Sequence, residues 1–451
     1  MTISSDFTAL IDYYPHWVDY RRWYARVPGV QVAVRHNGEL GASFARGTAD
    51  LGTGAELRTD HLFRIASHSK SVASVLVLQL VEQGRLRLDD TVSAHLPELD
   101  GTRLADRTLG ELLSHSGGVI RDSEDGDFWQ GTKAFPGRDE LVAIARADSS
   151  AVIDRNEHFK YSNIGFGLLG MVIEAVTGET FADRVRTVIA EPLGLHDLGG
   201  EYEQARSADY AGGHTSLATA RHRDTIDHVD THALAAATGC YATAADLTAF
   251  FDALMPGDER LLRTASTRMQ KRRLWEAREG ERWYGLGLFL DKIGDTELFG
   301  HTGGYPGHIT CTLADADEHR VVSVFTNCLD GPATAIARGW YLLQNLARKA
   351  DHALAGDDAH RFTGRFGREW GLTDVVRLDG RLFAVDPAAD DPADDAVPLE
   401  VIDSTTLRIA GGRGGNSYGE KMRYTFGADD TVQSVRGESG MSMVPFATPS
   451  D

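Results

Sequence analysis

Several things are scarce in this chain of 451 residues. Cysteine is one: Cys240, Cys311 and Cys328 are too few for a disulfide framework, and their spacing matches no zinc site. They read as buried packing groups. Positive charge is another. Against 66 acidic residues stand 46 basic ones, a net charge of −20, which would repel nucleic acid or an anionic membrane. Neither is expected as a partner. Long apolar runs are missing too. The longest, Val72 to Val81, is interrupted by Ser74 and Gln79 and falls short of the roughly 20 residues of a membrane span. The first residues, Met1 to Asp6, show neither the basic nor the apolar stretch of a signal peptide, so the expected location is cytoplasmic. No repeat of about 20–50 residues is visible. Lysine is the oddest shortage. Only seven of the basic residues are Lys (70, 133, 160, 271, 292, 349 and 421), so each raises the question of why it is not Arg.

What is present divides the chain into parts. At roughly 150 residues per domain the length suggests about three. Tyr13, Trp17, Tyr20 and Trp23 recur at helical spacing, an aromatic stripe that reads as packing. The alternating run Val30 to Val34 precedes Asn37-Gly38, a strong two-residue hairpin signal. Ser67 to Gln83 is apolar nearly all round and stops at Gly84, which predicts a buried helix. Further helices are expected at Arg138 to Ala147, Gly165 to Val176, Ala244 to Leu254 and Ala333 to Leu354. Strand character returns at Tyr284 to Leu290, Ile309 to Leu313 and Val321 to Thr326. The fold class expected is α+β. An antiparallel sheet is built from both ends of a catalytic domain 1–355 (about 1–66 and 283–355), with an all-helical insert at about 67–282. Short alternating strands at 375–378, 381–385, 407–409 and 422–426 predict a separate antiparallel β domain over 361–451. The acidic stretch 386–395 reads as a solvated loop.

Three short motifs carry chemistry. Ser67 and Lys70 are three apart at the start of the buried helix, so hydroxyl and amine can meet. A neutral amine can take a hydroxyl proton and an ammonium cannot. Burial and the positive end of the helix dipole both push Lys70 towards neutral. Arg stays protonated and could not serve, which is a chemical reason for lysine here. The Ser67 N–H, unpartnered at the helix start, is also a candidate oxyanion donor. The pair alone is a weak pattern, with a surface lysine near a helix cap as the alternative. Tyr161-Ser162-Asn163 precedes a helical run; the tyrosine could shuttle a proton and the asparagine could hold an amide. His301-Thr302-Gly303-Gly304 follows a short apolar strand, and the Gly304 N–H could be the second oxyanion donor. His222, Asp224, Asp227, His228 and His232 also crowd together, but no third ligand falls at a metal spacing, and they read as a solvated loop or helix start.

Taken together, in this order and spacing, the three motifs resemble those of the serine β-lactamase/penicillin-binding protein superfamily, most of all its class C β-lactamase, D-aminopeptidase and esterase branch. Leu112-Leu113-Ser114-His115-Ser116-Gly117-Gly118 and Thr243-Ala244-Ala245-Asp246-Leu247 extend the likeness over about residues 10 to 350. The resemblance implies that Ser67 is acylated, that Lys70 and Tyr161 share proton transfer, and that Asn163, His301, Thr302 and Gly303 bind substrate. The N–H groups of Ser67 and Gly304 would form the oxyanion hole, with no metal or organic cofactor. Which of Lys70 and Tyr161 is the base stays open. The telling departure is His301, where lactamases and transpeptidases of the family carry a carboxylate-binding Lys. A mostly neutral imidazole loses the charge-assisted part of an anion contact. The expected reaction is therefore hydrolysis of small amides or short peptides through an acyl-enzyme, with D-amino-acid amides and peptides included. A carboxylesterase or weak β-lactamase on the same fold is the alternative, and a non-catalytic penicillin-binding-like sensor a further one. The C-terminal domain resembles the lipocalin-like barrels of related peptidases. Its loop Gly411 to Gly419 could reach an active site or be a slack connector. Two more expectations follow: Cys240 narrows a wall of the cleft, and the oligomeric state, homo-oligomers included, is left open.

Overall fold

The structure is a computed structural model that describes residues 5–411, 417–437 and 440–449. Its chain divides into two compact units: residues 27–334, and residues 1–26 with 335–451.

The first unit is built on a nine-stranded antiparallel sheet. The strands lie in the order Ala55–Glu56, Glu39–Asp50, Gly29–His36, Arg320–Thr326, His308–Asp315, Thr296–Tyr305, Phe289–Ile293, Arg282–Tyr284 and Trp275–Arg278. Early and late strands therefore meet in the middle, where Val32 faces Val324. The Asn37-Gly38 hairpin forms as expected: both residues have positive φ (51° and 81°), the requirement of a type I′ turn. One expected strand is broken. Residues 284–290 do not run straight but split into Arg282–Tyr284 and Phe289–Ile293. The segment between them is diverted onto the buried helix, where Ser71 and Ser74 donate to the carbonyls of Gly287 and Leu286. Two buried hydroxyls thus find acceptors that a continuous strand would have kept for its neighbours.

Helix His68–Glu82 is buried on nearly every face, from His68 to Leu80, as its all-round apolar sequence demands. It packs against the helix Asn163–Thr177, which is capped by Ser162 accepting the Gly165 N–H and ended by Gly178 in the left-handed region. At Gly170 a side chain would stand 2.9 Å from the Ala236 Cβ. Its absence lets the π-helical turn Ala235–Gly239 lie close, and that turn brings a carbonyl to the site described below. Helix Ala244–Asp252 covers the central strands Gly29–His36 and Arg320–Thr326. Cys240, Cys311 and Cys328 are free and buried, as the sequence suggested. Cys240 is wholly enclosed, its N–H donating to Ser69 Oγ, so its side chain forms no wall of an open cleft.

The second unit holds a closed barrel of eight antiparallel strands between Gly364 and Pro445. Phe366, Val375, Leu382, Leu399, Leu407, Tyr424 and Val435 fill its core. Helix Ser5–Tyr24 packs on its strand Gly371–Leu378, with the Tyr13 hydroxyl donating to the buried Asp374 at 2.8 Å. The aromatic stripe is packing, as read from the sequence: Trp17 is fully enclosed, Tyr20 is buried, and the Tyr20 and Trp23 rings lie 5.7 Å apart. In the acidic loop, Arg21 pairs with Asp390. Of the glycine-rich stretch 411–419, residues 412–416 lie outside the described residues. Among the described residues no single helix is long and apolar enough to cross a membrane.

Candidate active site

Ser67 is the residue before helix His68–Glu82, and the chain reaches it through Ala66 in the left-handed region (φ 50°). That conformation costs a non-glycine residue about 1–2 kcal/mol. It is held from within the turn: the Ala66 carbonyl accepts from the Ser69 hydroxyl (2.6 Å) and the Ser69 N–H (2.9 Å). The strained turn leaves Ser67 half-buried while its neighbours on either side are enclosed.

Lys70 lies one helical turn on, with no exposed surface. Its Nζ is 3.1 Å from Ser67 Oγ, 2.7 Å from Asn163 Oδ1 and 2.8 Å from the Ala237 carbonyl. The last two can only accept. A neutral amine has two N–H groups and one lone pair. The two carbonyl oxygens take the two N–H groups, and the lone pair is left facing the serine hydroxyl. Burial pulls the amine well below its ordinary 10.5, against the Asp122 charge that raises it and with the Arg121 charge that lowers it. Among the described residues no carboxylate forms an ion pair with Nζ.

Tyr161 flanks this pair from the helical side, its ring 4.7 Å below Lys70 Nζ. Burial raises its phenol, opposed by a hydrogen bond with Ser67 and by Arg121. Amine and phenol are thus shifted in opposite directions, one towards a free base and one towards a retained proton.

The strand Thr296–Tyr305 closes the other side. Tyr305 and His308 close a two-residue turn over Pro306-Gly307. Antiparallel pairs alternate, so Gly303–Thr310 is hydrogen-bonded and Gly304–Ile309 is not. The Gly304 N–H therefore points to the opposite edge, where pairing with Phe289–Ile293 has already ended at Gly300. It is free to meet a ligand. At Gly303 a Cβ would stand 2.3 Å from the Ile65 carbonyl, so only glycine lets the strand come this close to the serine turn. The Ser67 N–H has no backbone acceptor among the described residues. One N–H on the serine itself and one on the strand that abuts its turn are thus left without a backbone acceptor, donors of the kind that stabilise a tetrahedral oxyanion.

His301 shares the alternation of Gly303 and so faces inward, while the half-buried Thr302 and exposed Gly304 face the other way. Its imidazole is 1 % exposed. Nδ1 lies 2.6 Å from the Thr302 carbonyl and must donate; Nε2 then accepts from the Tyr284 hydroxyl at 3.1 Å. Burial above all drives its pKa well below 6.5. The imidazole is neutral, as the sequence implied, and it is turned into the interior beside His68, Tyr284 and Phe289.

The motif reading missed two residues. Asp122 accepts from Asn163 Nδ2 (2.7 Å) and from Trp129 Nε1 (2.8 Å), and faces Arg121 Nε at 3.3 Å. Its contact fixes which end of the Asn163 amide meets Lys70. His115 carries the ring that lies against Tyr161, with centroids 4.3 Å apart. His115 stands in a motif already singled out; Asp122 had no local signal. The histidine-rich stretch resolves differently: His232 opens a short helix, whereas His228 is not solvated but packs among Tyr202, Tyr210 and His308, its Nε2 donating to the Ala211 carbonyl. Among the described residues no group of three His, Cys, Asp or Glu side chains could hold a metal ion.

Residues 16–347 match the Beta-lactamase family. Esterase EstB of Burkholderia gladioli is 32 % identical over 195 residues, 39 % of this chain and 47 % of that protein. The chain matches about half the length of such curated relatives. A D-amino acid amidase from Ochrobactrum anthropi SV3, solved with L-phenylalanine, is 27 % identical with a TM-score of 0.60, covering 69 % of this chain and 90 % of that one. The octameric penicillin-binding protein homologue from Pyrococcus abyssi covers 96 % of this chain and 99 % of its own, at TM-score 0.66 and 21 % identity, a likeness of fold that includes the barrel.

Proposed function

Since the chain belongs to the Beta-lactamase family, we propose that it is a serine hydrolase acting through an acyl-enzyme on small amides or short peptides, those of D-amino acids included. One observation carries this: a fully buried lysine amine, 3.1 Å from a serine hydroxyl, whose other two hydrogen bonds are both to carbonyl oxygens. Ser67 Oγ attacks the carbonyl carbon and its proton passes to Lys70 Nζ. The Ser67 and Gly304 N–H groups hold the oxyanion. The C–N bond breaks as the leaving nitrogen receives the proton from Lys70 by way of the Tyr161 hydroxyl. Water then attacks the ester with the same groups in reverse, releasing the acid and restoring Ser67.

Two observations support the substrate class. The neutral, inward His301 offers no charge to a substrate carboxylate. Asp122, half-buried and bonded to Asn163, offers a carboxylate to a substrate ammonium, in competition with the exposed Arg121 that faces it at 3.3 Å. The likeness to a D-amino acid amidase supports an amide, and the likeness to EstB supports an ester as the second reading. The test is a substrate panel: amino-acid amides of both hands, a nitrophenyl ester and a chromogenic cephalosporin. Amide turnover that ends with Ser67→Ala supports the proposal. Ester turnover without amide turnover favours the second reading. Rapid cephalosporin turnover contradicts the argument from His301. No turnover, with no labelling of Ser67 by a serine-reactive phosphonate, overturns the proposal in favour of a sensor.

A further inference from the structure

Tyr161 lies on an extended stretch just before helix Asn163–Thr177, and within its own segment its ring meets Phe159 at no closer than 6.4 Å between centroids. A distant residue holds both its backbone and its ring. The Lys160 N–H donates to the His115 carbonyl (2.7 Å), and the Ser162 N–H donates to His115 Nδ1 (3.1 Å). The residues immediately before and after Tyr161 are thus both tied to His115. The imidazole then lies along the Tyr161 ring itself, at 4.3 Å between centroids. Its far side rests on Phe166 and Tyr284 (5.1 and 4.7 Å), so it cannot swing away.

The backbone of His115 is itself in the left-handed region, with φ 58°. A non-glycine residue stays there only where its surroundings over-determine it. The side chain is 2 % exposed. Because Nδ1 accepts, the proton of the neutral ring sits on Nε2, and that buried N–H has no partner among the described residues. An imidazolium would put a proton on Nδ1, against the Ser162 N–H, and so open the clamp. Burial above all, and the Arg121 and Lys160 charges with it, oppose that charge.

We propose that His115 is a positioning residue for Tyr161: it clamps the backbone on both sides of the tyrosine and backs its ring, which keeps the hydroxyl aimed at Ser67 Oγ and the leaving atom. The inference rests on the reading of Tyr161 as the proton carrier to the leaving group. It gives the Leu112-to-Gly118 motif a task in the reaction beyond turning the chain.

The test compares two substrates with the same acyl group, a primary amide and a nitrophenyl ester. The amide needs a proton on its leaving nitrogen; nitrophenolate leaves without one. Tyr161→Phe should raise the ester-to-amide ratio of kcat/KM at least about tenfold. His115→Ala should raise it in the same direction by about tenfold, and adding it to Tyr161→Phe should change the ratio no further. Alanine is tolerated in this backbone conformation, as Ala66 shows. His115→Asn, whose Oδ1 can replace Nδ1 as acceptor, should return the ratio to within about threefold of the parent. If His115→Ala is recovered unfolded, His115→Met, which fills the space without an acceptor of comparable strength, takes its place. Equal losses on both substrates, or no difference between the Ala and Asn variants, would overturn the proposal. If Tyr161→Phe itself leaves the ratio unchanged, the reading of Tyr161 has failed and the role of His115 falls with it. A shifted ratio in Tyr161→Phe but not in His115→Ala refutes the His115 proposal alone.

Discussion

Removing Asp122 should damage the site without touching any reacting atom. Its Oδ1 accepts two hydrogen bonds, from Asn163 Nδ2 at 2.7 Å and Trp129 Nε1 at 2.8 Å. Asp122→Ala leaves both donors without that acceptor. Asn163 is 3 % exposed, so its N–H cannot turn to water, whereas the half-buried indole can. One buried donor left unpaired costs about 1–3 kcal/mol, and that is the expected loss of stability. The larger effect falls on catalysis. The carboxylate dictates that Asn163 presents Oδ1, not Nδ2, to Lys70. Freed from it, the amide can rotate, and an N–H facing Nζ competes for the lone pair that Ser67 needs. A loss of about 1.4–2.8 kcal/mol in transition-state stabilisation is about 10- to 100-fold in kcat/KM. Asp122→Asn separates the effects, since its Oδ1 can still accept while the charge is gone. It should recover most of the stability and lose the preference for a free-amine substrate over its N-acetylated counterpart. Denaturant unfolding and steady-state kinetics on that substrate pair measure both. Parent-like kinetics in Asp122→Ala would refute the reasoning, because the orientation of Asn163 would then not depend on Asp122.

Other outcomes follow from the same geometry. Ser67→Ala should end both turnover and phosphonate labelling, and Lys70→Arg should be nearly as damaging on the amide, since a guanidinium holds its proton. An active Lys70→Arg enzyme would remove lysine from the base role. The fold should also lose stability on acidification. His68, held neutral by burial down to about 4, and His115, His301 and His308, likewise lowered, bind fewer protons folded than unfolded. Stability therefore rises with pH across this window and falls as pH drops from about 6.5 towards 4, by about 3 kcal/mol from His68 alone. Denaturant unfolding at pH 7.5, 6 and 5 measures this; a flat profile would contradict it.

Local chemistry made much of this legible before any coordinates. The Ser67–Lys70 pair, the buried helix behind it and the Asn37-Gly38 hairpin each depend on residues a few positions apart, and each formed. Strands with strong alternation, such as 381–385, were visible; Val432–Arg436, rich in polar residues, was not. What escaped depends on distant partners. Asp122 lies 41 residues from Asn163, and no periodicity joins them. Residues 284–290 look like one strand because the cause of their break, two serine hydroxyls on another helix, is tertiary. The His301-to-Gly304 motif was read as a group beside the substrate, but the strand's alternation and the close approach of Gly303 to Ile65 turn His301 and Gly303 inward, away from Thr302 and Gly304.

The claim on which the rest stands is that Lys70 is a neutral amine at working pH. Its seven lysines make this chain well suited to a direct reading. Nuclear magnetic resonance of lysine labelled at Cε and Nζ would follow each amine through a pH titration, with Lys70→Arg assigning one signal. Lys271, which burial lowers to about 7, would be assigned with Lys271→Arg. The Lys70 signal should report an uncharged amine at pH 7.5. A Lys70 signal that stays charged to pH 10, in an enzyme that is fully active, would contradict it.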